Sequence, residues 1–585
     1  MKLRLTKEQV IMKNAITLLL CSLFVFTGMA QTASSGTQMD VPERTTELKA
    51  LYQQAKQLEN NGTAAEINAN RLAIKNAWQE VNPAIAALYK PVETGNLNGL
   101  TILENEISTE DAQPIARSPE DWGTDILIHD DFVDGLDMDV TGDGDIYITS
   151  YKNLVGGGVD VNTYRSLNGG ISFSLWKSIS FGNINLLKLQ TILMDGNGEE
   201  YLLLYTLGDN GILSPIRLKI SNGNIEAGPA IVGNLTDFSM DRNYPINTSN
   251  QRIFAIYLKE DTACSEGGRL FSARSTAGSY GFDWLDETEI PVCAKQVDFA
   301  YGRDGGCYTT FIGGNSGKLY ANFNPNYNDP GSWAGDEVII NPSSNQELSE
   351  PTIRAARKIP ANDHVIIGVS LFSQSIGKVS NETLLRENGG SYSSISTITP
   401  SNDGDFLHID GWVRRQNTVD VIQTAYLNTD NTANNIAVSR TYEGDGTFES
   451  SEIVSDPNID VFEGLPTVVA ETADGEPCMA YASTSSDGTR GYGLYFDSRS
   501  TLGVGKNKID HITMYPNPAK DIVNLKTENT IENISIYSQL GQKVIQVSPG
   551  QKNTALNVTS LATGSYFVEI TTTTHQTVVK QIVKK

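Results

Sequence analysis

Leu136-Asp-Met-Asp-Val140-Thr141-Gly-Asp-Gly-Asp145-Ile146-Tyr-Ile-Thr-Ser150 decides the fold of this chain. An apolar strand runs into a tight polar turn and a second strand leaves it. Turns rich in Gly and Asp join antiparallel strands because they accept positive φ. The unit returns as Gln190 to Tyr205 around Asp195-Gly-Asn-Gly198, and further turns fall at 247–250, 302–305, 360–363, 416–417 and 473–475. The repeat length is therefore about fifty to sixty residues, a propeller period. A third strand and an outer strand follow most hairpins. The seven hairpins predict a mainly β chain with a seven-bladed β-propeller over 122–500, six and eight being the neighbouring counts. The last unit stops near Asp497 without its outer strand, and Asp125-Ile-Leu-Ile-His129 is the segment expected to supply it.

Upstream of the repeats, apolar residues recur at helical spacing: Leu48, Leu51, Ala55 and Leu58, then Ile67, Ile74, Trp78, Val81 and Ile85. Asn60-Asn61-Gly62 stops the first helix and Pro83 disturbs the second. Residues 40–90 thus predict a helical hairpin with Trp78 in its core, and 91–121 a linker. At the start, Lys2, Arg4, Lys7 and Lys13 precede an apolar run from Ile16 to Phe26, with Gly28-Met29-Ala30 before Gln31. That pattern predicts a signal peptide over 1–30, cut between Ala30 and Gln31. The run is too short for a stable membrane anchor, and no other segment is expected to cross a membrane.

Downstream, 501–512 forms a second linker. Residues 513–585 then alternate Val, Ile and Leu with turn residues, as half-buried strands of a small immunoglobulin-like β-sandwich do. This segment opens Met514-Tyr515-Pro516-Asn517-Pro518, continues through Leu540-Gly541-Gln542 and Leu561-Ala-Thr-Gly564-Ser-Tyr566, and closes on Lys580-Gln-Ile-Val-Lys584-Lys585. It closely resembles the type A C-terminal sorting domain of the type IX secretion system of Gram-negative bacteria. The resemblance implies passage through the outer membrane, with the type IX machinery and its sortase as partners. It further implies removal of the tail, then release or anchoring at the cell surface. Tyr515, Pro516, Asn517, Pro518, Gly541, Gly564 and Lys580 are the motif positions it marks.

Ser166-Leu-Asn168-Gly-Gly170-Ile-Ser172-Phe173, followed by Trp176, resembles the Asp-box (BNR) repeat of sialidase-like propellers, with Asn168 in place of Asp. Asp445-Gly446-Thr447-Phe448 is a weaker echo. In that family the box is a structural turn between third and fourth strands, so it bears on fold and not on catalysis.

The formal net charge of −25 repels nucleic acid and anionic lipid and excludes both as partners. Of five cysteines, four lie beyond the signal. Cys264 follows a second strand and Cys293 lies in the next blade link, so a disulfide is expected to join them on one face, with Cys307 and Cys478 expected as separate buried thiols. Acids recur at the blade links, as Asp134, Asp241 with Arg242, Glu350, Asp410 and Glu463, with Asp131, Asp405 and Asp460 nearby. Converging carboxylates at a channel mouth suit a divalent cation, Ca²⁺ first, or an amine-bearing ligand. The same acids also suit turn capping. Asp139, Asp143 and Asp145 partly match a Ca²⁺ loop that lacks its distal Glu. Trp412 and Tyr244 could stack on a sugar ring or fill the core.

Catalysis has thinner support. Two mouth carboxylates could serve glycoside hydrolysis, but Arg242, Arg269 and Arg490 are too scattered for a sialidase triad. His129, His364, His408, His511 and His575 show no ligand spacing, and no nucleophile elbow or phosphate loop occurs. The expectation is a secreted or surface-anchored propeller that binds a glycan or protein ligand at one face. A polysaccharide hydrolase or lyase built on the same carboxylates is the alternative.

Overall fold

The structure is a computed structural model describing residues 45–95, 122–499 and 513–585, apart from short segments. The chief ones are 244–250, 326–332, 356–364, 399–403, 414–421, 443–451, 473–475 and 486–491. The signal segment and both linkers' central residues lie outside the description, as do the weaker Asp-box echo, His364, His511 and His575. The chain is mainly β and divides into two compact units, Met1–Asn98 with Leu186–Val413, and Gly99–Asn185 with Arg414–Lys585.

In the first unit, consecutive antiparallel meanders open on strands Leu186–Gly196, Leu235–Arg242, Glu287–Tyr301 and Gln346–Ala355. Strand Glu287–Tyr301 serves two sheets: its first half pairs with Gly268–Arg274 and its second with Cys307–Gly313. Second strands such as Ile253–Glu260 and Val365–Ser373 are buried on both faces, because sheets stack on either side of them. This is why the sequence shows continuous apolar runs there and no strict alternation. Between sheets the core is Phe238, Met240, Tyr257 and Phe271 at one interface and Ile353, Ile367, Val369 and Leu371 at another.

The first strands meet through a side-chain zipper. Asp237, Ser239 and Asp241 project from alternate positions of one strand, and each accepts an N–H from the next sheet's first strand. Val297 N donates to Asp237 Oδ2 at 3.0 Å, Phe299 N to Ser239 Oγ at 3.2 Å and Tyr301 N to Asp241 Oδ2 at 2.9 Å. One sheet on, Glu350 N donates to Gln296 Oε1 at 3.0 Å and Ile353 N to Asp298 Oδ2 at 2.8 Å. One sheet back, Gln190 Oε1 accepts Met240 N and its Nε2 donates to Met240 O. A first strand has a neighbour in its own sheet on one side only, so its other edge would present orphan N–H groups. The zipper satisfies them.

Helices α1 (Thr46–Asn61) and α2 (Ala64–Val81) form a hairpin on the outside of this unit. Gly62 caps α1, and Thr63 with Glu66 makes a capping box at the start of α2. Trp78 is buried and its Nε1 donates to Tyr52 Oη at 2.7 Å. Pro83 starts a short further turn, Pro83–Ala86, where its missing N–H costs nothing. Beyond it, Tyr89–Lys90 pairs with Glu287 and Thr288, and Thr94–Gly95 pairs with Ala230 and Ile231. The linker expected from 91 onward therefore begins as edge strand, which backbone pairing alone creates without any apolar period.

In the second unit, Gly135–Val140, Ile146–Asn153, Val159–Ser166 and Ser174–Phe181 form one meander. Another opens on the broken strand Ile459–Val461 and Val468–Glu471, continues through Pro477–Ser485 and Gly493–Ser498, and ends on Ile126–His129. Its outer strand thus comes from far upstream in the chain. Met138, Ile146, Ala480 and Phe496 fill the space between the two sheets. In the tail, strand Ile522–Ser538 pairs first with Thr513–Tyr515 and Gln551–Asn557, then with Lys543–Val547 and Gly564–Thr572. Val523, Leu525, Ile534, Ile536, Val568 and Ile570 pack as its core.

The Asp-box-like turn sits between third and fourth strands. Ser172 N donates to Asn168 Oδ1 at 3.0 Å, and Gly170 N to Ser166 Oγ at 2.9 Å. Asn168 thereby supplies the acceptor that an Asp would. Gly170 has φ +89°, and a Cβ there would run into the Phe496 ring. We expect Gly170→Ala to cost about 2–4 kcal/mol, combining left-handed strain with overpacking. Gly169→Ala, at φ +69° in open space, should cost only about 1 kcal/mol. Denaturant midpoints would check the contrast.

Candidate functional site

The link acids occupy different levels of their strands. Asp134 immediately precedes Gly135–Val140, whereas Asp241 is the penultimate residue of Leu235–Arg242. Glu350 lies mid-strand in Gln346–Ala355, at a bulge where its φ is +53°. Asp410 lies late in Gly404–Val413, and Glu463 sits in the break between Ile459–Val461 and Val468–Glu471. Asp241, Glu350 and Asp410 belong to the first unit, and Asp134 and Glu463 to the second. The polar first halves of strands such as Leu235-Thr-Asp-Phe hide where each strand begins.

In the first unit Asp241 and Asp410 are engaged by donors of the protein itself. Asp241 is buried, and its two oxygens accept Arg242 N and Tyr301 N. Asp410 Oδ1 accepts from Arg354 Nη2 at 2.8 Å, while Arg354 Nη1 donates to Asp298 Oδ2 at 2.7 Å. Arg242 is buried, and Arg269 pairs with Asp261 at 3.1 Å. Trp412 lies on the strand of Asp410; Tyr244 and Arg490 fall outside the described residues. Cys264 and Cys293 form a disulfide, and Cys307 and Cys478 are buried free thiols. At the hairpin turn, Asp139 Oδ1 accepts Val140 N, and Thr141 Oγ1 accepts Asp145 N at 2.9 Å; Asp143 lies outside the description. Among the described residues no group of three or more His, Cys, Asp or Glu is arranged to hold a metal.

In the second unit two of the acids flank something the sequence did not display. Phe132, Phe462 and Tyr492 come together from a sheet link, a strand break and the residue leading into Gly493–Ser498. The Phe132 ring lies 4.8 Å from Tyr492 and 5.6 Å from Phe462, both edge-on, and Tyr492 is 46 % exposed. Asp131 and Asp134 bracket Phe132 in sequence, and Glu463 follows Phe462 and is exposed. Asp134 Oδ2 accepts Asn153 N at 2.6 Å, which fixes the link against the end of the second strand. Lys152 Nζ donates to Asp131 Oδ2 at 2.5 Å, and this bond, with the Phe132 N–H, holds the Asp131 carboxyl below its usual range. Burial, and after it the Asp134 charge, pushes the Tyr151 phenol up to about 12. A partly exposed aromatic cluster with polar residues next to it in the chain can stack on a sugar ring and take its hydroxyls. An aromatic residue beside a link acid, at Asp131-Phe132 and Phe462-Glu463, was the available sequence signal.

Residues 513–585 match the family model of the secretion system C-terminal sorting domain. The tail therefore carries an export signal. Tyr515 ends the tail's first strand, Pro518 lies in a bend, Gly564 opens the strand Gly564–Thr572, and Lys580 is exposed on the last strand; Pro516, Asn517 and Gly541 are outside the described residues. No curated protein matches the chain. Among solved structures, the Aleuria aurantia lectin in complex with Fucα1-6GlcNAc is 9 % identical, covering 63 % of this chain and 97 % of its own at TM-score 0.33. The Penicillium chrysogenum α-L-arabinanase complexed with arabinobiose is 9 % identical, covering 64 % and 98 % at TM-score 0.34. Such low values establish neither a common fold nor a common ligand. Among the described residues no helix is long and apolar enough to cross a membrane, which does not bear on strands.

Proposed function

We propose that this is an exported glycan-binding protein, a seven-bladed propeller whose rim at 130–134, 462–463 and 492 holds a sugar. The observation that carries the reading is the Phe132–Phe462–Tyr492 cluster, three rings gathered from distant parts of the chain with one left facing solvent. Isolated exposed aromatics are ordinary; a supported cluster rimmed by polar groups marks a binding surface. The sorting domain supports export by the type IX route, with its sortase removing the tail and the body released or anchored at the surface.

Tyr492 is the ring to remove, because its exposure separates binding from folding. Tyr492→Ala should weaken oligosaccharide binding about tenfold, the equivalent of 1.4 kcal/mol, with an unchanged unfolding midpoint. Calorimetric titration against an oligosaccharide panel checks this; unaltered affinity in the variant would remove the rim from consideration. Turnover of a bound oligosaccharide that Glu463→Gln abolishes would instead identify a hydrolase or lyase.

A further inference from the structure

We infer that the export machinery docks on one solvent-facing sheet surface of the tail, centred on Phe567, through an apolar and acidic surface of its own; this rests on the sorting-domain match of 513–585. Side chains alternate between faces along Gly564–Thr572. Tyr566, Val568 and Ile570 belong to the tail's core, so Ser565, Phe567 and Glu569 lie on the opposite face. Phe567 stands opposite Tyr537 on one neighbouring strand and Gln581 on the other, and Ser565 stands opposite Val583. Phe567 is 42 % exposed and Val583 37 %, with Tyr537 half-buried beside them. Tyr537 Oη donates to Glu569 Oε1 at 3.3 Å, and Lys543 Nζ lies 5.6 Å from the centre of the Tyr537 ring. Strand register thus gathers two aromatic residues, a valine and an ammonium on one face.

An antiparallel sheet with its core on one side ordinarily turns polar residues to water on the other. Single exposed apolar residues are normal, whereas neighbouring ones rimmed by polar groups mark a contact surface. The core is filled from the other face and gains nothing from Phe567. On a domain whose role is sorting, a surface that serves no packing serves the reader of the signal. Charge points to the same occupant. The tail holds seven Lys, no Arg and four acids, a formal net charge of +3 in a chain of −25, so the remaining residues carry −28. A basic module on an acidic protein is steered toward carboxylates on its partner. Tail-to-tail pairing of two copies would instead set like charges together.

The test follows export of the full-length chain from its native cells by fractionation and immunoblotting, with the unfolding midpoint of each purified variant alongside. Phe567→Glu should lower the exported fraction about tenfold at an unchanged midpoint. Phe567→Thr, which removes the ring but keeps a strand-forming residue, should act in the same direction. Lys543→Glu should lower export about threefold, and Lys543→Arg should leave it unchanged. Ile522→Glu, at an exposed apolar residue that opens the strand Ile522–Ser538, should export normally. Normal export of both Phe567 variants, with deletion of 513–585 still blocking export, would overturn the docking face and leave the sorting reading intact. Export that survives the deletion would overturn both. Losses of export that follow lowered midpoints in every variant would overturn the face as well. So would a concentration-dependent dimer that Phe567→Glu dissociates without affecting export, since the occupant would then be a second copy.

Discussion

Replacing Asp298 by Ala should lower the unfolding free energy by about 3–5 kcal/mol, the largest single-residue effect expected in the repeat body. Asp298 Oδ1 accepts from Ser239 Oγ at 2.6 Å, and Oδ2 accepts from Ile353 N at 2.8 Å and Arg354 Nη1 at 2.7 Å. One carboxylate thus ties three consecutive first strands together. Its loss leaves a buried N–H on Ile353 with no acceptor, which alone costs about 1–3 kcal/mol. It also removes one of the carboxylates that Arg354 engages, the other being Asp410, 2.8 Å away. Arg354 is partly exposed and can turn to water, which favours the lower end of the range. Asp298→Asn keeps an acceptor and should cost less, about 1–2 kcal/mol. Urea midpoints at constant slope would measure both; a loss under about 1 kcal/mol for the Ala variant would show that the zipper does not carry stability.

Removal of residues 513–585 should abolish export, with the protein retained in the periplasm and absent from medium and cell surface. The tail has its own core, centred on Val523, Ile534, Ile536 and Val568, so the signal is a folded object as well as a string of motif residues. Ile536→Asp leaves every motif position intact but buries a charge at a fully buried site, which a small core cannot accommodate. It should block export as completely as deletion. Fractionation and immunoblotting would compare the two. Normal export of Ile536→Asp would mean that the machinery reads linear sequence.

Much of the fold was legible because turn chemistry is local. Gly and Asp at Thr141-Gly-Asp-Gly-Asp145 announce a hairpin without reference to anything distant, and the buried second strands announce themselves as apolar runs. The outer strand at Ile126–His129 could be placed because a repeat with a missing part points to its own complement. The site was less legible. Asp241 and Asp410 looked like ligands because nothing in their own segments shows that a backbone N–H sixty residues on, or Arg354, occupies them. Phe132, Phe462 and Tyr492 meet only through the pairing of an upstream strand with the last sheet, an encounter no local pattern encodes. The edge strands Tyr89–Lys90 and Thr94–Gly95 carry no side-chain period at all, since pairing there is made by backbone.

Hydrogen–deuterium exchange of the secreted protein with and without a saturating glycan ligand would test the central claim most directly, because it locates the occupied surface without assuming it. Protection should rise at 130–134, 462–464 and 492–493, with residues 237–241, 296–301 and the tail unaffected. Protection that appears only along the zipper or the tail, with that rim unchanged, would contradict the account.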